Sequence, residues 1–375
     1  MAGIYIHIPF CRQACHYCNF HFTTSLRYKN EFMAALLKEI TLTTHTGYEI
    51  ETIYIGGGTP SLLDVADIGS LLKGIRDRFS VKPDAEVTLE ANPDDISTEK
   101  LEGWLHSGIN RLSIGIQSFF DEDLQWMNRA HNATQARQQL ELALRYFNNI
   151  TADLIYGSPG LSDEKWKSNV LQLTSLGVPH LSCYALTVEP QTPLHKQIRQ
   201  QQSSDVDPDR QSAQFLLLMQ WMREAGYEHY EISNFARPGF RSRHNSSYWQ
   251  GKPYLGLGPS AHSYDGSSRW WNVANNTKYI SSIGQGILPF EKEDLTPIQR
   301  WNEHIMIALR TSEGLHLQAG AYGVPASWIE ELIQQSQSYI QRGLMQKEDN
   351  YLRLTNEGKL LADGIAADLF RSEND

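Results

Sequence analysis

Residues 4–18 read IYIHIPFCRQACHYC, a short apolar strand (Ile4–Ile8) running into Cys11, Cys15 and Cys18. The order strand, turn, helix then recurs along the chain. Further strands are expected at Thr52–Ile55, Glu86–Glu90, Arg111–Ile116, Ala152–Tyr156 and His180–Leu186. Helical patterns lie between them at Glu31–Thr44, Asp64–Phe79, Ser97–Ser107, Asp121–Met127, Ala133–Phe147 and Asp163–Leu176. Several strands are near-continuous apolar runs, the pattern of a parallel sheet covered on both faces. Ser97-Thr98-Glu99 after Asn92-Pro93, and Ser162-Asp163-Glu164 after Pro159-Gly160, supply helix start signals. Strands alternating with helices at roughly 30-residue spacing read as βα units. Six such units, fewer than eight, predict an α/β fold with a partial (βα)6 TIM-like barrel over residues 1–235. Ligands in such folds sit at the C-terminal ends of the strands.

A polar stretch, Gln200–Arg210, precedes a helix at Ser212–Ala225. A loop rich in aromatic, glycine and serine residues runs from Ser233 to about Asn276, within a linking region 236–294. From residue 295 the pattern is helical (Pro297–Thr311, Pro325–Arg342), with a polar strand pair near Leu344–Thr355 and a last helix, Glu357–Leu369. This predicts a small, mainly helical, winged-helix-like C-terminal domain over 295–375.

Composition narrows the function classes. With 33 basic and 43 acidic side chains the chain carries a net charge of −10, against the basic face a nucleic-acid binder needs. The C-terminal domain is not visibly basic either, so packing or partner binding is its expected role. Hydrophobic residues at 41% and charged residues at 20% provide for a full core and exclude the disorder signature. No run approaches 18 apolar residues, so no integral membrane segment is expected. The opening MAGIYIHIPFC lacks the basic start and long apolar run of a signal peptide. A cytoplasmic protein is expected, with a peripheral membrane contact and a homodimer left open.

Four cysteines are too few for a disulfide scaffold. Yet Cys11, Cys15 and Cys18 stand at C-x-x-x-C-x-x-C spacing, which chance would produce about once in two thousand such chains. A disulfide would pair two and strand the third. A zinc site would have to borrow His16 or His21, since Cys183 is alone and reads as core. The third reading is an iron–sulfur cubane, in which three thiolates leave one iron open to a small molecule. Tyr17, Phe20 and Phe22 flank the thiols as candidate walls.

Gly56-Gly57-Gly58-Thr59-Pro60 ends the second strand. It is neither a Walker loop nor a Rossmann fingerprint, and its glycines let backbone approach a ligand closely. Later strand ends supply Glu90, Gln117 and Asp153, with Arg129 after Gln117. Each alone could be a helix cap or a solvated charge, but they follow one another from strand to strand.

The cysteine spacing resembles the signature of the radical S-adenosylmethionine (SAM) superfamily. Together with IGGGTPS, LEANP, RLSIGIQSF and DLIYGSPG it resembles the oxygen-independent coproporphyrinogen III oxidase family over nearly the whole chain. The resemblance implies a 4Fe–4S cluster on Cys11, Cys15 and Cys18. It also implies SAM contacts from Tyr5, Tyr17, Gly57, Gly58, Thr59, Glu90, Gln117, Arg129 and Asp153, and cleavage of SAM. Two departures matter. The oxidases have a further cysteine where this chain has Phe20, and a long arm before the cluster motif, whereas the first strand here starts at residue 4. Both, with the HNSSYW stretch of residues 244–249, resemble the HemW subfamily of heme chaperones, which bind heme and deliver it to acceptor proteins. By that resemblance His244 belongs to the heme site, with Arg241 and Arg243 as partners for the propionates and His7 and His262 as alternative imidazoles. Oxidative decarboxylation of coproporphyrinogen III to protoporphyrinogen IX is the alternative function.

Overall fold

Alternation along the first strand decides how the sheet is used. In the computed structural model, which describes residues 2–44, 47–318 and 322–372, β1 spans Ala2–Ile8. Ile4, Ile6 and Ile8 are wholly buried in the main core, and the intervening Tyr5 and His7 turn to the opposite face. The next strands repeat this: β2 (Ile50–Gly57), β3 (Val81–Ala91), β4 (Arg111–Gln117), β5 (Ile150–Tyr156) and β6 (His180–Ala185), all parallel and paired in chain order. Each strand falls on its expected segment; β3 starts five residues earlier, β2 runs two residues past its expected end and β6 stops one short. Helices Lys29–Leu42, Val65–Arg78, Thr98–Ser107, Ala133–Ala143 and Asp163–Ser175 supply Leu36, Leu72, Trp104, Leu140 and Trp166 to the core. One expectation needs correcting. The strands are apolar on one face only; the alternating set Thr52, Tyr54, Glu86, Thr88, Glu90, Arg111, Ser113, Thr151, Asp153, His180 and Ser182 is polar. Six strands do not close on a dry filling, so their second face is made of hydrogen-bonding groups.

The sheet is longer than the barrel. Beyond β6 lie β8 (Asn234–Ala236) and β7 (Glu228–Glu231), both antiparallel to their neighbours. On the other side β9 (Tyr254–Leu257) runs parallel to β1, followed by antiparallel β10 (His262–Tyr264), β11 (Ser268–Asn272) and β12 (Phe290–Asp294). The twelve-stranded sheet is open, with β12 and β7 at its edges. The stretch expected as a loop is therefore folded, and it also carries helices Arg243–Trp249 and Asn276–Gly284. Its strands are only three to five residues long and are broken by glycines, too short for alternation to show. Within β9, Gly256 allows a close backbone approach: a Cβ there would lie 2.1 Å from the carbonyl oxygen of His262. The preceding helix starts earlier than expected, at Pro208, because Asp207 caps the amides of Asp209 and Arg210.

Residues from Pro297 build a second core around Trp301, Ile305, Leu309, Leu332, Leu352 and Ile365. It is formed by helices Pro297–Leu309, Ala326–Gln341 and Ala362–Asp368 on an antiparallel sheet of β13 (Leu315–His316), β15 (Tyr351–Leu354) and β14 (Met345–Glu348). The single last helix expected at Glu357–Leu369 is broken into Asn356–Lys359 and Ala362–Asp368. Pro297 opens the first helix, and Thr296 and Gln299 close a capping box across its start. Among the described residues no helix is long and apolar enough to cross a membrane.

One buried carboxylate ties the added strands to the barrel. Glu39, on the first helix, accepts from Tyr279 Oη at 2.6 Å, Gly258 N at 2.7 Å and Asn272 Nδ2 at 2.6 Å. Burial pushes its carboxyl above the usual range, against those three bonds. Glu39→Ala strands three buried donors at once, so it should cost about 3 kcal/mol or more in urea unfolding monitored by circular dichroism. Glu39→Gln, which keeps an acceptor, should cost less than half of that.

Candidate functional site

The cysteine loop leaves β1 at its C-terminal end and is fastened by backbone bonds from Cys11 N to Thr23 O (3.0 Å) and Thr23 N to Pro9 O (2.9 Å). Cys11, Cys15 and Cys18 are free thiols, half-buried on this loop, while Cys183 is buried in the core. Burial raises the thiols of Cys11, to about 11, and of Cys18; in Cys11 a bond with Thr59 opposes it. Binding a metal cluster there would release protons. Among the described residues no three His, Cys, Asp or Glu side chains converge as ligands of one ion. A cubane, which takes each thiolate at a separate corner, needs no such convergence.

The glycine run packs against this loop. Gly58 N donates to Ile8 O at 2.8 Å and Thr59 N to Phe10 O at 2.6 Å. A Cβ on Gly58 would lie 2.6 Å from Phe10 O, and one on Gly57, at φ +109°, would lie 2.6 Å from His7 Nδ1. Gly57 N also donates to Glu90 Oε2 at 3.1 Å, and Tyr54 Oη to Glu90 Oε1 at 2.7 Å. Burial, reinforced by Asp153, pushes the Glu90 carboxyl up to about 7 against those two bonds. Asp153, beside the hydroxyls of Ser113 and Ser182, is pushed up to about 6, chiefly by burial.

Arg129 faces the loop from beyond β4. Its guanidinium donates to Cys15 Sγ at 3.3 Å, Asn92 Oδ1 at 2.7 Å and Gly115 O at 2.9 Å, and its Nε is buried without a partner. Gln117 holds φ +66° at the end of β4, a left-handed conformation costing a non-glycine residue on the order of 1 kcal/mol and common at ligand sites. Tyr17 packs against Met127, Ile155, Leu186 and Leu194. Tyr5 lies deeper, stacked on Tyr54 at 6.2 Å with its hydroxyl 3.1 Å from His7 Nδ1. Around one mouth the fold thus collects the three cysteines, Gly57, Gly58, Thr59, Glu90, Gln117, Arg129 and Asp153. Asn92, bonded to both Arg129 and Thr59, belongs with them and went unread, although it stands two residues after Glu90.

His244 is elsewhere. It lies buried against the opposite ends of the strands, with Nδ1 2.8 Å from Thr52 Oγ1 and Nε2 2.8 Å from Tyr248 Oη. Burial, helped by the charge of Arg111, lowers its pKa to about 3. Both ring nitrogens are thus engaged by hydroxyls, the arrangement of a supporting imidazole. Arg241 pairs with Glu228 and Glu313, and Arg243 with Asp84, and neither lines the cavity walled by Tyr248 and Trp249.

What the 244–249 helix presents is Tyr248 and Trp249, on the wall of a cavity of about 690 Å³. That volume lies within the roughly 300–1,000 Å³ of small-molecule sites. The cysteine loop contributes Phe20 and His21 to it, β1 Tyr5 and His7, and the added strands Tyr254, His262, Tyr264 and Arg269. Arg300, His304 and Ile307 of helix Pro297–Leu309 close the far side. Reading along the chain could not find this cavity, because nothing in the spacing relates residue 20 to residue 304.

Residues 5–172 match the Radical SAM superfamily model and residues 295–361 the HemN C-terminal domain. The chain is 34% identical to the heme chaperone HemW of Mycobacterium tuberculosis, over 98% of this chain and 94% of that protein. It is 33% identical to HemW of Escherichia coli, over 99% and 98% of the two chains, and 33% identical to HemW of Bacillus subtilis, over 97% and 98%. In fold it is similar to coproporphyrinogen III oxidase (HemN) of Escherichia coli, a radical SAM enzyme, at TM-score 0.84 and 23% identity over 98% of this chain and 90% of that one. The chain belongs to the HemW family of the radical SAM superfamily.

Proposed function

We propose that this protein is a heme chaperone, which binds heme in the aromatic cavity and passes it to acceptor proteins while carrying a SAM-ligated 4Fe–4S cluster at the barrel mouth. The observation that carries the reading is the place of Phe20. Where the resembling oxidases have one more cysteine, this chain puts an exposed aromatic ring on the wall of a cofactor-sized cavity. We assign the protein to the cytoplasm; a net charge of −10 speaks against a nucleic-acid partner. Membrane-bound acceptors would be met by peripheral contact, and the chain would work as a monomer or a homodimer.

The donor set fits the cofactors. Cys11, Cys15 and Cys18 would hold three irons as thiolates. Bound SAM and cluster would supply one-electron cleavage of the SAM sulfonium bond. Glu90, with Gly57, Gly58 and Thr59 beside it, would receive the amino group, whose positive charge relieves the buried carboxylate. Arg129, with its partnerless Nε, would take the SAM carboxylate. Gln117 and Asp153 would bond the ribose, Tyr17 would wall the adenine, and Tyr5 would brace Tyr54 behind Glu90. His244 would act by holding the Tyr248 hydroxyl toward the heme.

Two experiments test the reading. Burial raises the carboxyls of Glu90 and Asp153, so their contribution to stability is fully present below the ordinary carboxylate pKa. It is lost as pH rises through about 6 and about 7. Glu90→Gln should therefore raise the Tm of the ligand-free protein by several degrees near pH 8, and by less near pH 5, while weakening SAM at least about ten-fold in calorimetry. Separately, the reconstituted protein should bind hemin, seen as a Soret band. Given SAM, reductant and coproporphyrinogen III without oxygen, it should form no protoporphyrinogen IX, and product in that assay would replace the chaperone reading with the oxidase one.

A further inference from the structure

Resting on the chaperone reading, we propose that His304 is the imidazole that would ligate the heme iron and that Arg300, one helical turn earlier, would receive a propionate. The two lie on helix Pro297–Leu309, which divides its faces. Trp301, Ile305 and Leu309 are buried in the second core, whereas Arg300, Glu303, His304 and Ile307, at i, i+3, i+4 and i+7, line the cavity.

Arg300 is the cavity arginine that lacks an anion. Arg269 pairs with Glu293 at 3.0 Å and Glu303 at 2.9 Å. Among the described residues Arg300 makes no ion pair, and its Nε is buried without a hydrogen-bond partner. A guanidinium left in that state among aromatic walls suits a flat apolar ligand carrying a carboxylate.

The imidazoles sort in the same way. His7 is engaged at both nitrogens, by Tyr5 Oη at 3.1 Å and His21 O at 2.8 Å, and His21 bonds Asn276 at 2.7 Å. Among the described residues the rings of His262 and His304 make no hydrogen bond. His262 lies exposed on β10, stacked on Trp271, whereas His304 is half-buried with its ring 4.9 Å from that of Tyr322. Burial and the charge of Arg300 keep His304 neutral, the form that ligates iron. The two residues are about 6 Å apart along the helix, so one ligand can span them.

The test uses the full-length protein with its cluster, titrated with hemin and with metal-free protoporphyrin IX. His304→Ala and the near-isosteric His304→Gln should shift the Soret band and weaken hemin at least about ten-fold, leaving metal-free protoporphyrin unchanged. Added imidazole should restore the wild-type spectrum of His304→Ala. Arg300→Gln should weaken both porphyrins about ten-fold with the Soret maximum in place. Unaltered cluster absorbance and SAM binding in each variant would confirm an intact barrel. A wild-type spectrum in both His304 variants, or a shift in His262→Ala instead, overturns the assignment while the chaperone reading stands. Wild-type protein that takes up no hemin removes both.

Discussion

The carboxylate of Glu86 fixes the base of the barrel. It accepts from the first amides of helix Arg243–Trp249, Arg243 N at 3.0 Å and His244 N at 2.9 Å, and lies 3.9 Å from the guanidinium of the fully buried Arg111. A helix N-terminus and an arginine both demand an anion, and here one side chain meets both demands. Arg111 in turn bonds Thr151, and Thr151 lies 3.0 Å from His180, which reaches Tyr230 at 2.7 Å. Strands β3 to β6 are thus joined beneath the site by a polar belt, and the helix bearing Tyr248 and Trp249 is seated by the same belt.

From that base, contacts run without a break to the mouth. His244 stacks on Tyr54 at 5.0 Å, and Tyr54 donates to Glu90. Through its other nitrogen His244 holds Tyr248, on the cavity wall. One buried imidazole therefore touches both Tyr54, which supports Glu90, and Tyr248, on the cavity wall.

Much of this was legible along the chain. The helix-facing halves of β1 to β6 announced themselves through aliphatic residues, and the mouth through the cysteines that follow β1 and through Gly57, Glu90, Gln117 and Asp153 on β2 to β5. The inner faces were legible as well, since Thr52-x-Tyr54, Glu86-x-Thr88-x-Glu90 and Arg111-x-Ser113-x-Gly115 alternate at period two. The period is easily missed, because Tyr54 and Gly115 interrupt the polar set without adding a charge. The strands from β9 on carried too few residues for any period. The cavity was beyond reach for another reason: Phe20, His262 and His304 meet only through the docking of the second core on the sheet, which no local pattern encodes.

The open sheet poses a problem that a closed barrel escapes. At one of its two edges β12, among the described residues, leaves one side of its backbone without a strand partner, which invites another extended chain to add on and start an aggregate. Glu291, Lys292, Glu293 and Asp294 occupy that strand, three of them exposed, so a chain docking there would have to strip water from a row of charges. An unclosed sheet can in this way carry a free rim, because the strand on that rim is charged instead of apolar.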